Sequence, residues 1–420
     1  MDMSPSNARF RWLFLLPAIL WLAGPVCAQV VNNCVVCHSA LDPPYKVTEE
    51  QFAHDIHSQK GLTCAACHGG DPTKADMDAM SKSAGFRGKI TRSQIPSLCG
   101  GCHGDAAFMR KYNPSLRTDQ LSQYVTSVHG KLLAKGDTKV AVCIDCHGVH
   151  DLRAVNDAQS SVYPLNIAKT CSRCHADAEY MKSYSIPTDQ FAKYNTSVHH
   201  DALVVRGDLS APTCTTCHGN HGAAPPGVST VQNVCSNCHV FQAQLYEKSP
   251  HRKAFQDAGL PGCVTCHGNH GVLHPTDENI GAGPKAFCTQ CHVSGDAGYS
   301  AAEKMHDSLR QLEASIKSSD QLLQKAESSG MEVSEARLEL DQARDSLTKA
   351  RVSVHVFQLG PVEQDVQTGL KVTEKTTKAG KDALAEREFR RKGLALSLVF
   401  IFATVLGLYL LIRRIEGPSH

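Results

Sequence analysis

The chain has 420 residues and a formal net charge of +2, from 43 Lys and Arg against 41 Asp and Glu. Its basic residues are scattered, which argues against a nucleic-acid partner, because a phosphate-binding face needs clustered Lys and Arg. The length is typical of roughly two or three domains. Thirteen Phe, ten Tyr and two Trp are few for this length, so the Gly-, His- and Pro-rich part has little material for an ordinary core.

The first 28 residues are typical of a secretory signal peptide. Arg9 and Arg11 precede an apolar run, which ends at Pro25-Val26-Cys27-Ala28. We expect cleavage after Ala28, which places the following region outside the cytoplasm. Two alternatives remain: a lipoprotein modified at Cys27, and an uncleaved signal anchor. Either alternative would also export the region that follows.

The region from Cys34 to His292 contains nine copies of the motif Cys-x-x-Cys-His. This motif is the attachment signature of a c-type haem, in which two thiols bind the porphyrin and the adjacent imidazole binds the iron. A zinc knuckle or a redox dithiol needs no histidine in that place. The sequence therefore predicts nine covalently attached haem c groups. The predicted attachment residues are Cys34, Cys37, Cys64, Cys67, Cys99, Cys102, Cys143, Cys146, Cys171, Cys174, Cys214, Cys217, Cys235, Cys238, Cys263, Cys266, Cys288 and Cys291. The predicted proximal iron ligands are His38, His68, His103, His147, His175, His218, His239, His267 and His292.

A repeated unit supplies candidates for the second, distal ligand of each iron. It consists of a haem motif, a short helical segment, a segment of the Ser-x-His type, and a second haem motif that continues as Gly-x-His. Repetition in register with the motifs favours ligation, whereas a lone histidine is usually a surface or core residue. The Ser-x-His-type candidates are His57, His129, His199 and His251, and the Gly-x-His candidates are His150, His221 and His270.

Order along the chain does not determine which histidine serves which iron. We expect the Ser-x-His group to serve the motif that comes next and the Gly-x-His group to serve motifs elsewhere. The first unit reads His68-Gly69-Gly70-Asp71 and lacks the Gly-x-His histidine.

After His292 the sequence contains no cysteine, and its composition becomes typical of α-helices. Apolar residues spaced alternately by four and three, from Met305 to Ala326 and from Ala336 to Phe357, predict two helices with an apolar seam. Ser328-Ser329-Gly330 predicts the turn of an antiparallel hairpin, and a third helical stretch follows from about Val362, with weak points at its glycines. We interpret the hairpin as a stalk or packing module, and a partner-binding coiled coil is the alternative.

His306 and His355 lie at the base of this predicted hairpin, each one position past a seam residue. Neither should point into the seam, so we predict that both reach back to haem irons as the eighth and ninth distal ligands. The alternative is that they are solvated histidines near a helix end. The remaining histidines are His54, His200, His274 and His420, of which His54 and His200 are alternative ligands in place of their neighbours.

A second apolar run, from Gly393 to Ile412, has about 20 residues without charge, which is enough to span a membrane as a helix. Basic residues flank it on both sides, so the signal peptide and haem attachment decide the orientation. The predicted fold is mainly α with much irregular structure. The predicted order is signal peptide 1–28, nonahaem cytochrome c domain 29–298, helical hairpin or stalk 299–392, transmembrane helix 393–412 and cytoplasmic tail 413–420.

The region from Cys34 to His292 resembles the multihaem cytochromes c with paired C-x-x-C-H motifs. The Cys-x-x-Cys-His-Gly-x-His blocks at Cys143, Cys214 and Cys263 carry the resemblance. It implies closely stacked haem groups, bis-histidine iron and periplasmic electron transfer. Some relatives are nitrite reductases or hydroxylamine-oxidising enzymes. The nitrite reductases have a lysine as proximal ligand at the catalytic haem, whereas all nine motifs of this chain end in histidine. The small quinol-oxidising tetrahaem proteins have an N-terminal anchor instead.

The leading hypothesis is electron transfer between an inner-membrane partner, quinol-oxidising or another integral redox subunit, and a periplasmic cytochrome or reductase. Bis-histidine iron has no open position for a substrate, so no catalytic residue is predicted. The alternative is an oxidoreductase acting on nitrite, hydroxylamine or tetrathionate at one open haem. The candidates for this open haem are those at Cys34 and Cys99, because the first unit lacks its Gly-x-His histidine. A third possibility, compatible with the first, is a haem-bearing scaffold subunit docked on a membrane complex.

Overall fold

The computed structural model describes residues 32–227 and 231–417. The predicted signal peptide and the last three residues lie outside the described residues. The described residues form helices and turns and contain no β-strand, which confirms the predicted mainly α fold.

The chain divides into two compact units, which are described separately. The first comprises Met1–Leu98 and Gly148–Ala154, and the second comprises Cys99–His147 and Val155–His420. Two hydrogen bonds fasten the Gly148–Ala154 segment within the first unit. The Ile56 amide donates to the Leu152 carbonyl at 2.7 Å, and the Leu152 amide donates to Asp55 Oδ2 at 3.0 Å.

Short helices separated by turns build the haem-motif region, and most motifs lie on a single helical turn. These helices are α1 Asn33–Ser39, α2 Glu49–His54, α3 Ile56–Gln59, α4 Cys64–His68, α5 Ile95–His103, α6 Ala106–Met109, α7 Gln120–Thr126, α8 Val128–Ala134, α9 Cys143–His147, α10 Pro164–His175, α11 Ala178–Met181, α12 Gln190–Asn195, α13 Val198–His200, α14 Cys214–His218, α15 Val231–Ser236, α16 Val240–Glu247, α17 Pro250–Asp257 and α18 Gly262–His267. The ninth motif begins in a 3₁₀ turn, Cys288–Gln290.

Three long helices follow: α19 Ala297–Ser328, α20 Ser334–Ser353 and α21 Leu359–Ile415. α19 and α20 are antiparallel and meet around the turn at residues 329–333, as the heptad pattern predicts. The third helical stretch does more than lead onward, because α21 packs along both helices and completes a three-helix bundle. The core of this bundle contains Met305, Leu309, Leu312, Ile316, Leu323, Ala326, Met331, Val333, Ala336, Leu340, Ala343, Leu347, Ala350, Val362 and Val366.

Gly369 and Gly380 in α21 are contact points and do not interrupt the helix. A Cβ at Gly369 would lie 2.7 Å from Cδ2 of Leu312, which is fully buried. The missing side chain therefore lets α19 and α21 approach closely at this point. One turn further on, Ser315 Oγ and Thr373 Oγ1 are 2.7 Å apart and link the same two helices.

The last part of α21 contains the predicted membrane segment. Within the described residues, α21 is the one helix long and apolar enough to cross a membrane, and the mean hydropathy of its most apolar stretch is 2.6. None of that stretch is buried in the protein. Its large side chains, from Leu394 to Ile412, are therefore all open to a lipid environment.

Candidate haem-iron ligands

The motif at Cys214 illustrates how the fold presents the attachment groups. Cys214, Cys217 and His218 lie on the single turn of α14, where residues three and four apart share a face. The turn begins with a capping box, in which the Thr213 amide donates to Thr216 Oγ1 at 3.1 Å. None of the eighteen motif cysteines forms a disulfide. The local geometry thus fits two thioether bonds and an adjacent iron ligand.

The first cysteines of neighbouring motifs are in contact. In the second unit, the hydrogen bond with Cys99 lowers the pKa of Cys143. In the same way, hydrogen bonding to Cys171 lowers the pKa of Cys214 to about 7, and hydrogen bonding to Cys263 lowers that of Cys235 to about 7.

Second cysteines lie close enough to those of other motifs to influence each other electrostatically. Burial, together with the neighbouring thiols Cys288 and Cys291, raises the pKa of Cys266 to about 11. Burial likewise raises the pKa of Cys146, with a smaller contribution from Cys174. The sixth and seventh motifs are connected in the same way. In the second unit, each motif from the third to the eighth therefore has cysteines near those of the next motif.

Within the part of the chain that the structure describes, seven pairs of imidazoles have nearly the same separation. Each pair joins one motif histidine to one histidine outside the motifs, with ring centroids 5.9 to 6.3 Å apart. The pairs are His68–His150, His175–His129, His147–His221, His239–His199, His218–His270, His292–His251 and His267–His355.

The separation fits two axial ligands of one iron. An imidazole nitrogen binds a first-row transition metal at about 2 Å, and the ring centre lies roughly 1 Å behind it. Two imidazoles on opposite sides of one ion therefore have centroids roughly 6 Å apart. Seven repetitions of this spacing, each with one motif histidine, match the donor set that a bis-histidine haem requires.

Burial favours the neutral, metal-binding form of many of these rings. Together with the nearby His221 and His103, it lowers the pKa of His147 to about 4. Burial is also the main cause of the lowered pKa values of His68, His129, His150, His175, His199, His221, His251, His267, His270 and His355.

In several candidate ligands Nδ1 lies within hydrogen-bond distance of an oxygen, which leaves Nε2 as the nitrogen that would bind iron. His355 Nδ1 lies 2.9 Å from the Val352 carbonyl, and His57 Nδ1 lies 3.1 Å from Asp55 Oδ1. His292 Nδ1 lies 3.2 Å from Asp296 Oδ1. Such partners fix the ring orientation and raise the basicity of the ligand.

Asp55 is a contributor that sequence reasoning missed. Burial alone raises the pKa of its carboxyl group, but hydrogen bonds from the His57 side chain, Leu152 and the His57 backbone bring it below its ordinary value. Asp55 is therefore a buried, ionised carboxylate in hydrogen-bond contact with His57, a candidate iron ligand. The available signal was its place in the repeat, where the other three units have serine.

The pairing corrects the expected order of ligands. We predicted that the Ser-x-His histidines lie beside the next motif. Instead, His129, His199 and His251 lie beside the motif after the next one. His129, for example, pairs with His175 and not with the motif at Cys143. The Gly-x-His histidines lie beside a motif two places earlier, as His221 does with His147. The difference arises because the unit is interleaved with its neighbours instead of closing on itself.

A repeated backbone hydrogen bond explains this interleaving. In three of the sequence repeats, the backbone amide of the residue before the Ser-x-His-type histidine donates to a backbone carbonyl. That carbonyl belongs to the residue two positions after a Gly-x-His histidine. These bonds are Ile56 to Leu152 at 2.7 Å, Val128 to Ala223 at 3.1 Å and Val198 to Val272 at 2.8 Å. Each bond fastens one distal-ligand segment to another.

The last unit uses the helical bundle in place of a further motif block. Pro250 has no amide hydrogen to donate before His251. Instead the ring of Phe357, two residues after His355, lies 4.1 Å from the His251 ring. His355 and Phe357 thus occupy the place that Gly-x-His segments have elsewhere.

The other predicted ligands are placed differently. Among the described residues of the second unit, no motif histidine lies beside His306 at the pair spacing, and the His306 side chain lies against Gly281. His57 and His38 lie in the first unit and His103 in the second. His38 Nδ1 lies 2.8 Å from the Tyr45 carbonyl. The roles of all four histidines as iron ligands stay predictions, and for His306 this geometry favours the alternative, a solvated histidine near a helix end.

The motifs, the helical fold and the paired imidazoles are typical of the multihaem c-type cytochromes. Residues 56–176 match the family model of cytochrome c3. The chain is also similar to the C-type polyheme cytochrome OmcC of Geobacter sulfurreducens, with 25% identity over 224 residues. The match covers 46% of this chain and 27% of that protein, so the chain spans about a quarter of the relative's length. No solved structure matches the chain.

Proposed function

We propose that this chain is a membrane-anchored nonahaem cytochrome c that relays electrons between a membrane redox partner and soluble acceptors. The single observation that carries the proposal is the set of seven imidazole pairs. When bound, the iron of haem c takes up and releases one electron. Buried imidazoles on both sides would close each iron to substrates and hold it with little rearrangement between its two oxidation states.

The contacts between cysteines support relay along the chain. Because cysteines of neighbouring motifs lie near one another in the second unit, the groups attached there would follow one another closely. The proposed residues are the eighteen motif cysteines, the nine motif histidines and the distal histidines of the seven pairs. His57 is kept as a further distal candidate because it belongs to the same class of segment.

The bundle supports a role as a spacer. His355, at its base, lies beside the eighth motif, and α21 then runs without a break from Leu359 to the membrane segment at Gly393. At 1.5 Å per residue this length is roughly 50 Å. A partner that exchanges electrons at this end would therefore need a domain that stands well outside the membrane, such as a soluble cytochrome or an extramembrane redox subunit.

The predicted signal peptide and the extracytoplasmic attachment of c-type haem support the proposed location. The motif region would lie in the periplasm and α21 would cross the inner membrane once. A quinol-oxidising or other integral membrane subunit is the proposed partner on the membrane side, and a periplasmic cytochrome or reductase on the other.

Haem content and spin state test the relay. For the full chain purified in detergent, we expect nine haem groups per chain by the pyridine haemochrome assay. We expect at least seven of them to give low-spin ferric signals in electron paramagnetic resonance. Fewer than seven haem groups, or mostly high-spin iron, would contradict the proposal.

An oxidoreductase at one open haem is the second candidate function, favoured by the surroundings of His38. Among the described residues of the first unit, His68 and His150 are paired with each other and no imidazole lies beside His38 at the pair spacing. The same spectra decide this alternative. One stoichiometric high-spin haem that binds carbon monoxide when reduced would favour it, and its absence would exclude it.

Removal of residues 393–420 tests the anchor. We expect the full chain to stay in carbonate-washed membranes, because the exposed apolar part of α21 inserts into lipid. The truncated chain should appear in the soluble periplasmic fraction with the same haem content. Retention of the truncated chain in washed membranes would show that another part of the protein, or a partner, holds it there.

A further inference from the structure

The four Ser-x-His-type segments differ at one position that lies beside the candidate ligand. Three segments have a serine two residues before the histidine. The hydroxyls of Ser127, Ser197 and Ser249 each donate to the backbone carbonyl three residues earlier, at 2.6, 2.6 and 2.7 Å. These hydroxyls close the end of the preceding helix, and their hydrogen bonds go to the backbone and not to an imidazole ring.

The first segment has Asp55 at this position, and its carboxylate turns toward the imidazole. Asp55 Oδ1 accepts the His57 backbone amide at 2.8 Å and lies 3.1 Å from His57 Nδ1. Asp55 Oδ2 accepts the Leu152 amide at 3.0 Å. Only 4% of Asp55 is exposed. The carboxylate is thus shielded from water and held by both oxygens.

We propose that Asp55 is a redox-tuning and positioning residue, whose carboxylate accepts the Nδ1–H of His57 and lowers the reduction potential of the iron that His57 ligates. The inference rests on the proposed function, because it requires His57 to be a distal ligand. The change concerned is the one-electron reduction of Fe(III) to Fe(II), in which no bond forms or breaks and the titrant supplies the electron.

The direction follows from charge. A carboxylate acceptor makes the imidazole a stronger donor, and its negative charge stabilises the more positive ferric state. A low local dielectric strengthens both effects because little water screens them. His251 provides the contrast within the array, since its buried Nδ1 has no hydrogen-bond partner among the described residues.

Leu152 gives Asp55 its positioning role. The same carboxylate that orients His57 also holds the segment that carries His150, the ring paired with His68. Loss of the side chain could therefore disturb geometry as well as charge. Two variants separate these effects.

The experiment compares Asp55→Asn, Asp55→Ser and Ser127→Ala in the full haem-loaded chain. Asp55→Asn removes the charge but keeps an oxygen that can accept the Leu152 amide. Asp55→Ser introduces the residue of the other units. Ser127→Ala removes a cap hydroxyl beside another distal histidine, without any carboxylate, and is the matched control for a loosened segment.

We expect both Asp55 variants to shift one haem upward in a spectroelectrochemical titration. The expected size is roughly tenfold in the reduction equilibrium, or about 59 mV for one electron. The low-spin resonance of that haem should shift in g value, and Ser127→Ala should change neither. Unchanged potentials in Asp55→Asn, or the same shift in Ser127→Ala, would overturn the inference. A low haem content in the wild-type chain would instead count against the proposed function.

Discussion

Replacement of His355 by alanine is expected to convert one low-spin haem per chain into a high-spin haem, with the other haem groups unchanged. His355 is the bundle's partner for the motif histidine His267, with ring centroids 6.1 Å apart and ring planes 18° apart. Its Nδ1 lies 2.9 Å from the Val352 carbonyl, which leaves Nε2 as the nitrogen that would bind the iron. Alanine supplies no donor atom, and the iron there would lose its sixth ligand.

His306→Ala is the matched control for this prediction. Both histidines lie at the base of the bundle, and the sequence alone treats them alike. The His306 side chain lies against Gly281, and its Nδ1 lies 3.2 Å from Asp307 Oδ1. Among the described residues of the second unit, no motif histidine lies at the pair spacing from it. We therefore expect the His306 variant to keep the wild-type spin state and haem content.

Electron paramagnetic resonance of the oxidised protein measures the change, and added imidazole separates ligand loss from misfolding. In His355→Ala, imidazole should restore the low-spin signal, because it can occupy the vacated position. A spectrum identical to wild type would remove His355 from the ligand set. A high-spin signal that imidazole does not reverse would point to general damage of the fold.

The local chemistry of the site could be predicted from the sequence, because it depends on residues three and four positions apart. The motif cysteines and histidines share one helical turn, as at Cys214–His218, whatever the rest of the chain does. The two classes of distal histidine could also be recognised, since both repeat in register with the motifs. The heptad spacing likewise predicted α19, α20 and the turn between them.

The pairing could not be predicted, because it depends on which segments meet in space. The bonds from Ile56, Val128 and Val198 join segments far apart in sequence and move each distal ligand by one motif from its expected place. His355 and His306 could not be separated either. α20 ends at Ser353, and a 3₁₀ turn with Phe357 in the left-handed region then redirects the chain.

The pairing also explains why the first repeat can lack a Gly-x-His histidine. The missing Gly-x-His histidine after His68 was a place where an open iron could be suspected. Yet His68 itself is paired with His150, which follows the fourth motif. Since Gly-x-His histidines lie beside a motif two places earlier, the lack of one after the second motif does not leave its own iron open.

Without haem attachment, the motif region is expected to remain unfolded while the helical bundle still forms. The apolar core cluster of the described residues lies entirely between Met305 and Val366. In the motif region, buried apolar side chains such as Val142 and Leu203 do not join this cluster. Ordering each residue costs about 1–2 kcal/mol of conformational entropy, and short helices with so little shared core cannot offset that cost alone.

Limited proteolysis tests this expectation on the full chain made with and without haem attachment. The haem-free chain should be digested throughout residues 32–292 and leave a resistant fragment that contains α19, α20 and the facing part of α21. The haem-loaded chain, treated alongside, should resist in both regions. Circular dichroism should show a helical signal in the haem-free chain that melts as one transition, from the bundle.

The bundle is the internal standard of this experiment, because its core is made of its own side chains and includes no motif residue. A resistant fragment from the motif region of the haem-free chain would mean that the polypeptide builds its own core there. Loss of the bundle together with the motif region would mean that the contact of His355 with His267 and of Phe357 with His251 carries the stability of the helices. Survival of the bundle alone is the outcome expected if haem attachment, as metal binding does in small metal domains, provides the folding free energy of the motif region.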